Sequence, residues 1–118
     1  MTTIPNPRAA RTRIKICGMT RACDVDAAVA AGADAIGFVT YPKSPRHVTM
    51  PRAVELAHRL PPFVTPVLLF VNETAAFVQQ CCEQLPHAMV QFHGDETAQD
   101  CLDATQGGAR AFLRAARI

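Results

Sequence analysis

The chain has 118 residues, of which 49% are hydrophobic and 19% are charged, and its formal net charge is +2. This composition is typical of a single folded domain and excludes an intrinsically disordered chain. Scattered Lys and Arg residues, a single tyrosine and no tryptophan argue against a nucleic-acid partner. No apolar run approaches the roughly 20 residues of a membrane span, and residues 1–12 lack the apolar segment of a secretion signal. We therefore expect a cytoplasmic protein with no membrane partner.

Strand and helix patterns alternate along the chain after a lead-in at residues 1–12, which we expect to be flexible. The predicted strands cover residues 13–17, 35–39, 65–71, 89–92 and 111–117. The predicted helices cover residues 21–31, 50–60, 73–85 and 96–104, with Thr20 and Thr49 as N-caps and Gly32 as a left-handed terminator. Four βα units followed by a strand predict an α/β fold with right-handed parallel crossovers over residues 13–118.

Five cysteines occur in the chain, at positions 17, 23, 81, 82 and 101. They contain no C-x-x-C pair and lack the spacing of a tetrahedral zinc site, so we predict reduced thiols and no metal. Four of them lie in helical patterns and are interpreted as small packing residues. Cys17 differs because it ends the first strand, and the carboxyl ends of strands in βα proteins hold reactive side chains rigidly.

The two faces of each predicted strand differ in polarity. Alternation places Ile14 and Ile16 on one side of the first strand, and Lys15 and Cys17 on the other. The second and fourth strands show the same asymmetry, with Ile36, Phe38, Val90 and Phe92 opposite Ala35, Gly37, Val39, Met89, Gln91 and His93. This pattern favours a closed barrel, in which the apolar face meets outer helices and the other face fills a narrow interior.

Five segments follow one another in the chain: KICGMT at 15–20, AGADAIGFV at 31–39, YPKSPR at 41–46, FVN at 70–72 and VQFHGDE at 90–96. Together, in this order, they resemble the N-terminal half of the phosphoribosylanthranilate isomerases of tryptophan biosynthesis. The departures are mild: Thr40 stands where an aromatic residue is common, Leu68 where glycine is frequent and Phe92 where leucine is usual.

The resemblance implies a (β/α)8 barrel, of which this chain holds about the first four βα units and strand five. The implied reaction is an Amadori rearrangement of a phosphosugar, N-(5-phosphoribosyl)anthranilate, to 1-(2-carboxyphenylamino)-1-deoxyribulose 5-phosphate, with no cofactor. Cys17 corresponds to the general base, Arg46 to the residue that binds the anthranilate carboxylate and His93 to a residue lining the pocket. A positive charge nearby favours a thiolate, and Lys15 lies on the same strand face. A solvated Arg46 and a purely structural His93 remain alternatives.

The resemblance also implies parts that residues 1–118 do not supply, namely a general acid on strand six and a phosphate site after strands seven and eight. Losing a general acid costs about 100- to 10,000-fold in rate, so we expect these residues alone to be nearly inactive. Open strand edges are expected to favour self-association or pairing with a C-terminal half. An alternative is a non-catalytic half-barrel interaction module. A third interpretation, the related isomerase of histidine biosynthesis, uses a carboxylate where this chain has Cys17.

Overall fold

The computed structural model describes residues 11–117, which alternate between strand and helix along their whole length. The strands are β1 (Lys15–Cys17), β2 (Ala35–Val39), β3 (Thr65–Phe70), β4 (Met89–Phe92) and β5 (Phe112–Arg114). The helices are α1 (Ala22–Ala30), α2 (Met50–Ala57), α3 (Ala75–Gln84) and α4 (Ala98–Ala104). All strands are parallel and lie in the order β1-β2-β3-β4-β5. The predicted α/β class is confirmed, whereas most of the predicted lead-in at residues 1–12 lies outside the described residues.

One face of the sheet packs against the helices and forms the hydrophobic core. It contributes Ile36, Phe38, Leu68, Phe70, Val90 and Phe92, and the helices contribute Val25, Leu56 and Val78. Fully burying one such side chain stabilises the fold by about 1.5–3 kcal/mol. The core therefore fixes the backbone of the three central strands. Side chains at the ends of these strands consequently have fixed positions.

The opposite face, called the inner face here, carries the residues that alternate with this core. In register, one row contains Cys17, Gly37, Val67 and Met89, and the next contains Val39, Leu69, Gln91 and Leu113. The predicted division of each strand into two faces is thus confirmed for β2 and β4. The rows of small and apolar side chains suit the interior of a barrel.

Strand β1 is less covered than its neighbours. Ile16 pairs in register with Ile36 and so lies on the helix-facing side as predicted, yet Ile14 and Ile16 remain 47% and 36% exposed. Within residues 11–117, β1 is an outer strand of the sheet. Within the described residues, both outer strands, β1 and β5, have a partner on one side only.

Threonine caps set the starts of three helices. The hydroxyls of Thr49, Thr74 and Thr97 accept hydrogen bonds from the backbone amides of Arg52, Phe77 and Asp100, an arrangement that satisfies amides left free in the first helical turn. Thr97 and Asp100 form a complete capping box.

The predicted cap at Thr20 is wrong. Helix α1 begins one residue later than such a cap requires, with Arg21 in the N-cap position and without a side-chain hydrogen bond there. The carbonyl of Thr20 instead accepts a hydrogen bond from Nη2 of Arg52 at 3.3 Å, and the amides of Gly18 and Met19 bond to the Gly37 carbonyl. These contacts keep residues 18–20 in the loop. The predicted terminator is confirmed, since Gly32 has φ +98°.

Candidate active site

Cys17 occupies the carboxyl end of β1 with its thiol on the inner face. Gly37 is its partner in register, and a Cβ placed on Gly37 would lie 2.8 Å from Cys17 Sγ. Because Ile36 and Phe38 point into the helix-facing core, a Cβ on Gly37 must point the other way. The sulfur is therefore directed away from the helices, into the interior predicted from the sequence.

Arg46 lies directly beside this cysteine. Its Nη1 donates a hydrogen bond to the backbone carbonyl of Cys17 at 3.1 Å, and its side chain passes over Gly18. A Cβ on Gly18 would approach Nη1 to 2.4 Å, and the φ of Gly18 is +84°. The positive φ favours glycine at position 18, and a Cβ there would displace the Arg46 guanidinium.

The loop that carries Arg46 is tied back to the sheet. The Arg46 amide donates to Ser44 Oγ at 3.1 Å, His47 forms a parallel bridge with Val39, and the buried Thr40 hydroxyl donates to the Leu69 carbonyl at 2.7 Å. Within residues 11–117, Nε and Nη2 of Arg46 form no hydrogen bond. This edge of the guanidinium is consequently free to bind a carboxylate through two parallel hydrogen bonds.

His93 follows β4 at the same edge of the sheet. Its amide donates to the Phe70 carbonyl at 3.0 Å, and strand alternation places it on the side of Gln91, opposite Phe92. The exposed His93 borders a depression of about 130 Å³ together with Arg114 and Arg117. Strands β2 and β3 separate β4 from β1, and His93 lies four residues beyond Met89, the β4 residue in the same register row as Cys17. The structure thus brings Cys17 and Arg46 into contact, with His93 across the same rim.

The other thiols differ from Cys17 in their surroundings. Cys81, Cys82 and Cys101 are buried in the helix-facing core, and Cys23 is exposed on α1. Burial raises the pKa of the Cys81 thiol to about 11, and burial also raises the pKa of Cys82 and Cys101. These thiols are therefore neutral at physiological pH, which agrees with the packing role predicted for them.

Three contributors to this rim were not identified as such from the sequence. Gly37 leaves space for the Cys17 thiol, and a glycine inside a strand is a recognised sign of such a close approach. Glu96 and Asn72, which lie in two of the motifs quoted above, bind each other's loops through their side chains. Hydrogen bonds between separate loops leave no spacing pattern in one sequence, so no signal pointed to this pair.

The family model described as N-(5'phosphoribosyl)anthranilate (PRA) isomerase matches residues 14–114. A relative in Leptothrix cholodnii named N-(5'-phosphoribosyl)anthranilate isomerase is 62% identical over 109 residues, 92% of this chain and 48% of the relative. The relative of the same name in Dechloromonas aromatica is 61% identical over 108 residues, 92% of this chain and 50% of the relative. The chain spans about half the length of these curated relatives.

Solved structures agree with this assignment. The phosphoribosyl anthranilate isomerase of Thermotoga maritima matches with a TM-score of 0.82 at 36% identity, covering 88% of this chain and 50% of that one. The enzyme of Thermus thermophilus matches with a TM-score of 0.84 at 31% identity, covering 91% of this chain and 52% of that one. The sheet and helices described here are thus about half of a (β/α)8 barrel, and the chain belongs to the N-(5'-phosphoribosyl)anthranilate isomerase family.

Proposed function

We propose that this chain supplies the general base and the carboxylate-binding arginine of a phosphoribosylanthranilate isomerase in tryptophan biosynthesis. The observation that carries the proposal is the contact between the two residues, with the Cys17 thiol on the inner face and the Arg46 guanidinium bonded to the Cys17 carbonyl. Support also comes from a solved isomerase of 36% identity in complex with reduced 1-(o-carboxyphenylamino)-1-deoxyribulose 5-phosphate, to which the chain aligns with a TM-score of 0.82.

The proposed chemistry assigns one proton transfer to Cys17. After the sugar ring has opened to a protonated Schiff base, the thiolate removes the proton from C2 and becomes a thiol, and the electron pair moves to form a C1–C2 double bond while the iminium nitrogen becomes neutral. The resulting enolamine tautomerises to the ketone. The free edge of Arg46 holds the anthranilate carboxylate and so fixes the distance between C2 and the sulfur. His93 lines the same rim.

Ring opening requires a general acid that we do not assign to residues 11–117. The aspartates in and before α4 are exposed or engaged elsewhere: Asp95 is exposed, Asp100 caps α4, and Asp103 accepts from Gln99 on the outer surface. Since a general acid contributes about 100- to 10,000-fold, we propose that residues 1–118 alone turn over substrate slowly if at all.

A reconstitution assay tests the proposed function. The chain is mixed with the remaining half of the Leptothrix cholodnii relative, and conversion of N-(5-phosphoribosyl)anthranilate is followed by fluorescence. The proposal predicts turnover in the mixture that neither part shows alone, with Arg46→Ala abolishing it. A mixture that forms a stable complex but stays inactive would contradict the proposal.

Such an inactive complex would favour the second candidate, a non-catalytic module that pairs with a complementary half. The observation behind it is that, among residues 11–117, β1 and β5 each pair on one side only, together with exposed Ile14, Ile16 and Leu113. Unpaired edges of this kind recruit further strands. Size-exclusion chromatography with light scattering tests this, because the isolated chain should self-associate and become a defined heterodimer when the complementary half is added.

A further inference from the structure

The carboxylate of Glu96 lies at the junction of the loops that follow β3 and β4. Glu96 is only 9% exposed, its Oε2 accepts a hydrogen bond from the backbone amide of Asn72 at 2.8 Å, and its Oε1 accepts one from the amide of Gly94 at 2.8 Å. An ionised carboxylate only accepts hydrogen bonds, and charge-assisted bonds of this kind are about twice as strong as neutral ones. Each oxygen therefore holds a different loop.

Further contacts lock the same junction. The side-chain oxygen of Asn72, a residue with φ +53°, accepts from the Asp95 amide at 2.7 Å. A Cβ on Gly94 would lie 2.4 Å from this oxygen, so the close approach requires glycine at position 94. From β5, Arg114 donates to the backbone carbonyls of Gly94 at 2.7 Å and Glu96 at 3.2 Å. The ends of three strands are consequently joined through residues 94–96.

His93 directly precedes residues 94–96. The backbone on one side of it is held by the bond from its own amide to Phe70, and the backbone on the other side is held by the bond from Gly94 to Glu96. We propose that Glu96 is a positioning residue that fixes the His93 backbone by bridging the loops after β3 and β4. Both oxygens of Glu96 are engaged by amides, so it acts through His93 and not on the substrate. The bridge and its effect on the His93 backbone stand independently of the proposed function; a contact between His93 and substrate rests on that function.

Amide hydrogen exchange followed by NMR on the full 118-residue chain tests the bridge. Glu96→Gln keeps the shape but offers one acceptor in place of two, so we expect the Asn72 or Gly94 amide to exchange about 10-fold faster or more. The imidazole resonances of His93 should shift in the same variant. Asp95→Asn is the matched control, because it removes the same charge from the adjacent residue, whose side chain forms no hydrogen bond within residues 11–117. It should leave the Asn72 and Gly94 amides unchanged; because Asp95 lines the same depression as His93, this control is read on the amides alone.

A second variant gives a different expected pattern. Asn72→Gly tolerates the positive φ and retains the backbone amide that donates to Glu96, but it lacks the oxygen that accepts from Asp95. Only the Asp95 amide should then lose protection. The inference is overturned if Glu96→Gln leaves both amides and His93 unchanged, or if Asp95→Asn speeds exchange of the same two amides. If Glu96→Gln does not fold, Asn72→Gly decides, since loss of protection at Gly94 in that variant would refute the bridge. Failure of the isomerase assay would alter none of these rates, so the two proposals fail separately.

Discussion

The position of the Cys17 thiol depends on the absence of a side chain at Gly37. In Gly37→Ala, the added methyl group would lie 2.8 Å from Cys17 Sγ and 3.2 Å from Cys17 Cα. Ordinary contacts between such atoms are about 3.5–4.0 Å, so the sulfur must withdraw by about 1 Å or β1 must move. Overpacking of this kind destabilises the fold by about 1–3 kcal/mol. Alanine is intrinsically more favourable than glycine in a strand by about 0.5–1 kcal/mol, which offsets part of this loss.

The catalytic effect of Gly37→Ala should exceed its effect on stability. A misplacement of about 1 Å in a reacting group costs about 100-fold in rate, so the reconstituted barrel should lose about 100-fold in turnover while remaining folded. Gly32→Ala is a suitable control: its φ of +98° makes alanine strained, but the new Cβ would meet nothing within 4 Å. This variant should lose stability without a comparable loss of turnover.

Two assays separate these effects. Urea unfolding measures the free energy of unfolding of each variant, and iodoacetamide labelling read by mass spectrometry compares Cys17 with the exposed Cys23 in the same molecule. The ratio of the two labelling rates should change in Gly37→Ala and stay constant in Gly32→Ala. Wild-type turnover and an unchanged labelling ratio in Gly37→Ala would refute the placement of the thiol against β2.

Three further predictions concern other parts of the molecule. Arg46→Lys keeps the charge but loses the planar fork, so the KM of the reconstituted barrel should rise about 10- to 100-fold; an unchanged KM would contradict carboxylate binding. Burial raises the pKa of Cys81 to about 11 in the folded chain, above its unfolded value. The stabilisation linked to this thiol is therefore fully present below about pH 8.5 and is lost as the pH rises toward 11. The free energy of unfolding should fall by about 2–3 kcal/mol over this range. Urea unfolding at pH 8 and pH 10.5 should show this loss in the wild type and less of it in Cys81→Ala; equal losses would be inconsistent with it. Thr97→Ala removes the capping box of α4 and should lower the free energy of unfolding by about 1 kcal/mol, whereas an unchanged urea midpoint would refute the stabilising role of the cap.

Much of the fold could be predicted because its signals are local. The bounds of β2 and β4 were predicted correctly, since both are short segments in which the alternate residues on one face are apolar. Strands β1 and β5 are shorter than predicted; within residues 11–117 each is an outer strand with one neighbour to extend its ladder. The error at Thr20 has a similar origin, as an arginine from α2 binds its carbonyl and no pattern near residue 20 reports that contact.

The site could be predicted only in part for the same reason. Cys17, Arg46 and His93 were proposed from a family resemblance, and strand alternation alone was enough to place Cys17 on the inner face. The contact of Arg46 with the Cys17 carbonyl joins residues 29 positions apart, and the bridge made by Glu96 joins two loops. Such contacts arise from the way neighbouring strand ends meet, which a single sequence does not encode at any fixed spacing.

Substitution of Cys17 tests its proposed role as acceptor of the proton from C2 of the substrate. Turnover of N-(5-phosphoribosyl)anthranilate is compared in reconstituted barrels that carry Cys17→Ala or Cys23→Ala, together with the affinity of each barrel for the product. Cys17→Ala should lower turnover by about 100- to 10,000-fold with product binding retained, while Cys23→Ala should have no effect. Turnover within a few-fold of wild type in Cys17→Ala would contradict this role.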